Sequence, residues 1–154
     1  MAFTTFDGPV RSKKGFTAVG SNAVVAITAE TTLTYADHVG RIIEINDADG
    51  AVTLPTITSD TIGATYKIFV GTDSTDLDVK TDGTDKFVGS LAVSGTTTAA
   101  FAPGASNDVI SMNGTTTGGD RGSIIEITAI ATAEYMVSGT LVGSGTVATP
   151  FADS

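Results

Sequence analysis

The sequence predicts an all-β protein: a single β-sandwich or barrel-like domain over residues 21–154, preceded by an extended N-terminal arm over residues 1–20. Three observations carry this. Apolar residues recur at period two in short runs, the pattern of strands buried on one face. Gly, Asp, Asn and Pro interrupt those runs at the spacing of a sandwich or barrel, giving about ten strand candidates. No segment sustains a 3.6-residue apolar repeat, so at most one or two helical turns are expected. A chain of 154 residues suffices for one domain with its own core. Its charged fraction of 16% is too low for a disordered chain and leaves thin polar cover, which favours an oligomer or a bound protein.

The arm, Met1 to Gly20, mixes Gly, Pro, Lys and Ser without alternation, and Gly8-Pro9 marks a bend. It holds Phe3, Phe6 and Phe16 but no core to bury them in. Burial of each is worth about 1.5–3 kcal/mol, so they are expected to pack on the same domain or on another subunit. Arg11, Lys13 and Lys14 stand against Asp7 alone, so the arm is basic. The rest of the chain has five basic and sixteen acidic residues, within a net charge of −9. So acidic a body is repelled by nucleic acid and by anionic membranes, and neither is expected as a partner.

After the arm, Ala23–Ile27 and Thr31–Tyr35 read as strands, and Ala36–Val39 as a helical turn. Arg41–Ile45 is the next strand. Asn46–Gly50 reads as a hairpin turn, and Ala51–Leu54 as a returning strand ended by Pro55. Thr65–Val70 sets Tyr66, Ile68 and Val70 on one face and Phe69 on the other. Leu77 and Val79 line a strand rimmed by aspartates. Phe87, Gly89, Leu91 and Val93 follow at period two, then Thr97–Phe101 before Pro103-Gly104.

The last third reads as a three-stranded meander. Val109–Met112 is its first strand, and the polar loop Gly114–Gly122, too flexible for a core, follows the Asn113-Gly114 turn. Ser123, Ile125 and Ile127 share the inward face of the second strand; Tyr135, Val137, Gly139 and Leu141 share that of the third. The pattern G-x-I-I-E-I occurs twice, at 40–45 and 122–127. It marks either equivalent strands in two sheets or a coincidence of β-rich composition.

Candidate chemistry is sparse. Asp73, Asp76, Asp78, Asp82 and Asp85 crowd one stretch, and aspartate-rich turns can hold calcium. Neither that stretch nor Asp47-Ala48-Asp49-Gly50 has the spacing and closing glutamate of an EF-hand, so solvated turn aspartates are expected, with weak calcium binding as the alternative. His38 is the lone histidine, and no G-x-S-x-G elbow accompanies it. Glu44 and Glu126 are a conceivable carboxylate pair but fall on outward strand positions. GTTTGGDRG lacks the Lys-Ser ending of a phosphate loop. Zero cysteines exclude disulfides and thiolate zinc sites. No signal peptide is expected, and no apolar run is long enough to span a membrane as a helix. Neither an enzyme nor a cofactor is expected.

The run NGTTTGG, followed by an I-I-E-I strand and a Y-M-V-S-G-T-L strand, resembles the C-terminal part of small structural proteins of tailed bacteriophages. The opening FDGPVRSKKGF, Phe6 to Phe16, is similar to a G-P-V-x-S-x-x-G-F motif of phage head and tail proteins, and Ser144–Phe151 fits the same style. The resemblance implies a capsid decoration or cement protein, made in a host cytoplasm and placed on the virion surface. It implies a homotrimer bound to the major capsid protein. The arm residues Phe3, Phe6, Pro9, Arg11, Lys13, Lys14 and Phe16 are the expected contacts with capsid and sister subunits. The alternative is a head-fibre or tail-fibre adhesin domain that binds a host glycan, although the chain has no tryptophan and only three tyrosines.

Overall fold

The computed structural model describes residues 19–154, and the arm contacts expected at Phe3, Phe6, Pro9, Arg11, Lys13, Lys14 and Phe16 lie outside the described residues. The fold is all-β, with two mixed sheets packed face to face as a sandwich. A single 3₁₀ turn, Ser21–Ala23, and one helical turn, α1 (Tyr35–His38), are the helical elements among the described residues.

The first half of the domain winds between the sheets. β1 (Val24–Ile27), β3 (Ile42–Ile45) and β5 (Thr65–Val70) are parallel neighbours in the larger, seven-stranded sheet. β2 (Thr31–Thr32), β4 (Ala51–Thr53) and β6 (Leu77–Lys80) are parallel neighbours in the smaller, five-stranded one. Each pass through the opposite sheet serves as the crossover a parallel pair requires, so no covering helices are needed. Asn46 N donates to Ile27 O at 2.7 Å and Gly71 N to Ile45 O at 2.8 Å, continuing the ladder beyond the strands.

The second half closes the sheets with antiparallel pairs and one long parallel pair, β7 (Lys86–Ser94) with β11 (Glu134–Val142). β7 and β8 (Thr98–Phe101) form one edge of the larger sheet. β9 (Val109–Met112) pairs with β6 in the smaller sheet, and β12 (Phe151–Ala152) pairs with β9. The hairpin of β10 (Ile124–Ala131) and β11 (Glu134–Val142) fills the gap between β5 and β7.

The inward parities agree with the sequence. Ile125, Ile127, Tyr135, Val137 and Leu141 are buried, as are Tyr66, Ile68, Val70, Leu77, Val79, Phe87, Leu91 and Val93. The Tyr66 and Tyr135 rings meet edge to face at 6.4 Å between centroids, and Tyr135 Oη donates to Pro55 O at 2.6 Å. Burial pushes the Tyr66 hydroxyl up to about 12, with Tyr35 adding to the shift.

Four local expectations are corrected. Asn46–Gly50 is not a hairpin turn, because β3 and β4 lie in different sheets. The meander loses its first strand to the opposite sheet, since β9 pairs with β6 and β12. The strand expected over Thr31–Tyr35 stops at Thr32; the Thr34 hydroxyl accepts from Asp37 N and caps α1, leaving Tyr35 exposed.

The fourth correction concerns the glycine-rich loop, which is packed. Asn113 Oδ1 accepts from the amides of Thr115, Thr116 and Thr117, an Asx-type clasp. A Cβ on Gly118, at φ 78°, would stand 2.4 Å from Leu141 Cβ, so the loop lies directly on the core.

The parity of β10 gives a direct test. Ile125→Ala should cost about 2–5 kcal/mol in urea unfolding, the range for emptying a core site. Ile124→Ala, one residue away and 54% exposed, should cost less than about 1 kcal/mol. Equal costs would mean that the inward face is misassigned.

Candidate functional site

The two outer faces of the sandwich differ in chemistry. On the smaller sheet, outward positions are mostly small or polar: Thr32, Thr53 and Lys80 in one row, which ends on the buried Val109, and Ala51, Asp78 and Ser111 in the next. On the larger sheet one row runs Val24, Ile42, Lys67, Glu126, and the next runs Ala26, Glu44, Phe69, Ile124. Val24, Ile42 and Ile124 are 41%, 47% and 54% exposed, so this apolar face is uncovered among the described residues.

These side chains line an open groove of about 430 Å³ running over β1, β3, β5 and β10. The repeated G-x-I-I-E-I pattern builds it. Its two copies lie in one sheet, not two, and flank β5 on opposite sides, one parallel and one antiparallel. Alternation buries Ile43 and Ile45 in one copy and Ile125 and Ile127 in the other. The first isoleucine of each copy, Ile42 or Ile124, must then face outward. Ile42 sits beside Lys67 and Ile124 beside Phe69.

Charge rims the groove. Lys67 Nζ lies 3.6 Å from Glu126 Oε2, an exposed pair of small energetic weight. Glu44 lines the other side and makes no ion pair among the described residues. The two glutamates are outward, as expected, and they do not face a shared reacting position, since β5 stands between their strands.

The crowded aspartates have separate structural tasks. Asp73 Oδ1 accepts from Arg121 N at 2.7 Å. Asp82 Oδ1 accepts from the amides of Thr84 and Asp85, and its Oδ2 accepts from the Thr56 hydroxyl. Burial works against the Asp82 carboxylate, yet these hydrogen bonds hold its pKa down at about 2. Asp85 is buried and accepts from Ile57 N at 2.9 Å; desolvation raises its pKa. Among the described residues no cluster of three or more His, Cys, Asp or Glu side chains could hold a metal ion.

His38 is buried at the end of α1, where its Nδ1 accepts from Thr34 N at 2.9 Å. Asp37 turns instead to the Thr34 hydroxyl. A second cavity, about 620 Å³, opens between the β10–β11 turn and the segment after β8, with Lys86, Pro103 and Glu134 in its wall. Lys86 is committed elsewhere: its Nζ donates to the buried Asp108 carboxylate at 2.8 Å. Ser154 N and Oγ donate to that same carboxylate, tying Ser154 to β9.

The groove was not among the sequence-level candidates. A signal was present all the same, because an I-I pair cannot place both isoleucines inward on one strand. Among the described residues no helix is long and apolar enough to cross a membrane.

The Lys86–Asp108 pair yields a pH prediction. Burial opposes the Asp108 carboxylate, but Lys86 and Ser154 outweigh it and lower the pKa. A lowered folded-state value means stability that is present above the unfolded value of about 3.9 and lost as pH falls through the folded one. Lys86→Met should therefore cost about 1–3 kcal/mol at pH 7. In urea titrations that deficit should shrink steadily below about pH 4. A deficit independent of pH would assign the loss to packing of the lysine stem.

No protein-family model, curated protein or solved structure matches the chain.

Proposed function

We propose that this protein is a structural component of a tailed-phage virion, a decoration or cement protein that binds the outer capsid surface and reinforces its subunit junctions. The observation that carries the reading is the apolar groove that the described residues leave uncovered on the outer face of the larger sheet. Solvent-facing apolar patches of this kind mark contact surfaces. The lone histidine supports this reading, since the His38 ring is engaged by the Thr34 amide at the end of α1. The protein is read as non-enzymatic on that ground.

The motif resemblance supplies the virion context and the trimer. A closed cyclic oligomer matches the local symmetry of a shell. The mechanism is thermodynamic: a protein that binds the expanded shell alone shifts the equilibrium toward that state by its binding free energy. The arm residues Phe3, Phe6, Pro9, Arg11, Lys13, Lys14 and Phe16 and the groove-bearing face together form the contact, with the major capsid protein as partner. The glycan-binding fibre reading is the weaker one. Tyr66 and Tyr135 are buried, which leaves Tyr35 as the sole tyrosine free to serve as a sugar platform.

Copy number decides between the two. A decoration protein should be present on purified particles in hundreds of copies, measured by quantitative mass spectrometry; a few copies would fit a fibre and contradict the cement reading. Deleting residues 1–16 should leave a folded domain of unchanged circular dichroism that no longer sediments with the particles. A truncated protein that still decorates them fully would remove the arm from the contact.

A further inference from the structure

We infer that the groove on the larger sheet is the seat of the chain's own N-terminal arm, with Phe3, Phe6 and Phe16 as the apolar anchors. The groove and the arm each lack what the other has. The groove exposes Val24, Ile42 and Ile124 around Phe69, with Glu44 and Lys67 in its wall and Glu126 paired to Lys67 beside it. The arm carries three phenylalanines and the basic cluster Arg11, Lys13 and Lys14, in a chain whose remainder is strongly acidic.

Chain geometry favours the same molecule. The arm joins β1 through the 3₁₀ turn Ser21–Ala23, and Val24, the first residue of β1, is itself a wall of the groove. The groove spans three strand intervals, from β1 to β10, or roughly 14 Å at about 4.8 Å per interval. Seven residues lie between Phe16 and Val24, the last three of them in the 3₁₀ turn Ser21–Ala23; at no more than about 3.3 Å per extended residue and about 2 Å per 3₁₀ residue, the tether reaches roughly 20 Å. Phe16 can therefore reach any point of the groove, and Phe3 and Phe6 have longer tethers. So short a tether holds the local concentration of the arm at about the millimolar level, above that of a second copy in dilute solution. Seating the phenylalanines would leave the basic residues beside the face, where they can meet an acidic partner.

The inference concerns the free protein, so its test is independent of any virion. The chain has no cysteine, so a nitroxide on Ser12→Cys is the sole label. In dilute nitrogen-15-labelled full-length protein, the amides of Val24, Ile42, Phe69 and Ile124 should lose most of their intensity relative to the reduced nitroxide. Thr53 and Lys80, outward on the opposite sheet, should keep theirs. An equimolar mixture of spin-labelled unenriched chains with unlabelled nitrogen-15 chains should show no loss. Replacing Phe3, Phe6 and Phe16 by Ser in the spin-labelled protein should restore the groove intensities. Unchanged groove amides, or loss elsewhere on the body, would overturn the assignment. Equal loss in the mixture would give the groove to a second copy's arm, and loss surviving the triple substitution would remove the phenylalanines as anchors.

Discussion

Strand β5 is the constraint on which the rest of the structure depends. Its inward residues, Tyr66, Ile68 and Val70, are essentially inaccessible and sit at the middle of the shared core. Its two edges join unlike halves of the domain: on one side the parallel winding of β1 and β3, on the other the antiparallel hairpin of β10 and β11. Both halves reach it through an I-I-E-I segment, in opposite directions, and in both registers an isoleucine, Ile43 or Ile125, stands beside Ile68. The outward residues of the same strand, Lys67 and Phe69, form the floor of the groove. One strand's two parities thus set the core and the candidate contact face together, because a one-residue slip would exchange them.

Parity was legible in the sequence because it is local: period two needs only a few residues to declare itself, and the buried sets on β5, β7, β10 and β11 follow it. Partner choice was not. Asn46–Gly50 has the composition of a tight turn, yet it carries the chain to the other sheet, and nothing within those five residues distinguishes the two routes. Polar composition misled at Gly114–Gly122 for a related reason. Its backbone amides are satisfied by the Asn113 side chain, and its glycines permit close contact with Leu141, which composition alone does not reveal. The groove was half legible: two outward isoleucines follow from I-I-E-I, but their convergence on β5 is a fact of topology.

The acidic character of the body also takes on a different meaning. Asp82, Asp85 and Asp108 satisfy backbone amides or a half-buried lysine, so these carboxylates fix the connections between strands. Such groups are costly to remove and poorly placed to bind a ligand, because their oxygen lone pairs are already engaged. The surface proposed for recognition is the apolar face of the larger sheet, together with the basic and aromatic residues that precede it in the chain.

The most direct measurement is co-sedimentation of an Ile42→Ser, Ile124→Ser protein with the expanded capsid shells that it is proposed to decorate. Both side chains are about half exposed and belong to the groove rather than the core, so the unfolding midpoint should stay close to that of the parent protein. Binding to shells should fall at least tenfold, since the face that seats the arm and presents it to the shell loses its apolar centre. Undiminished binding by a normally folded double variant would contradict the assignment of this face as the contact surface.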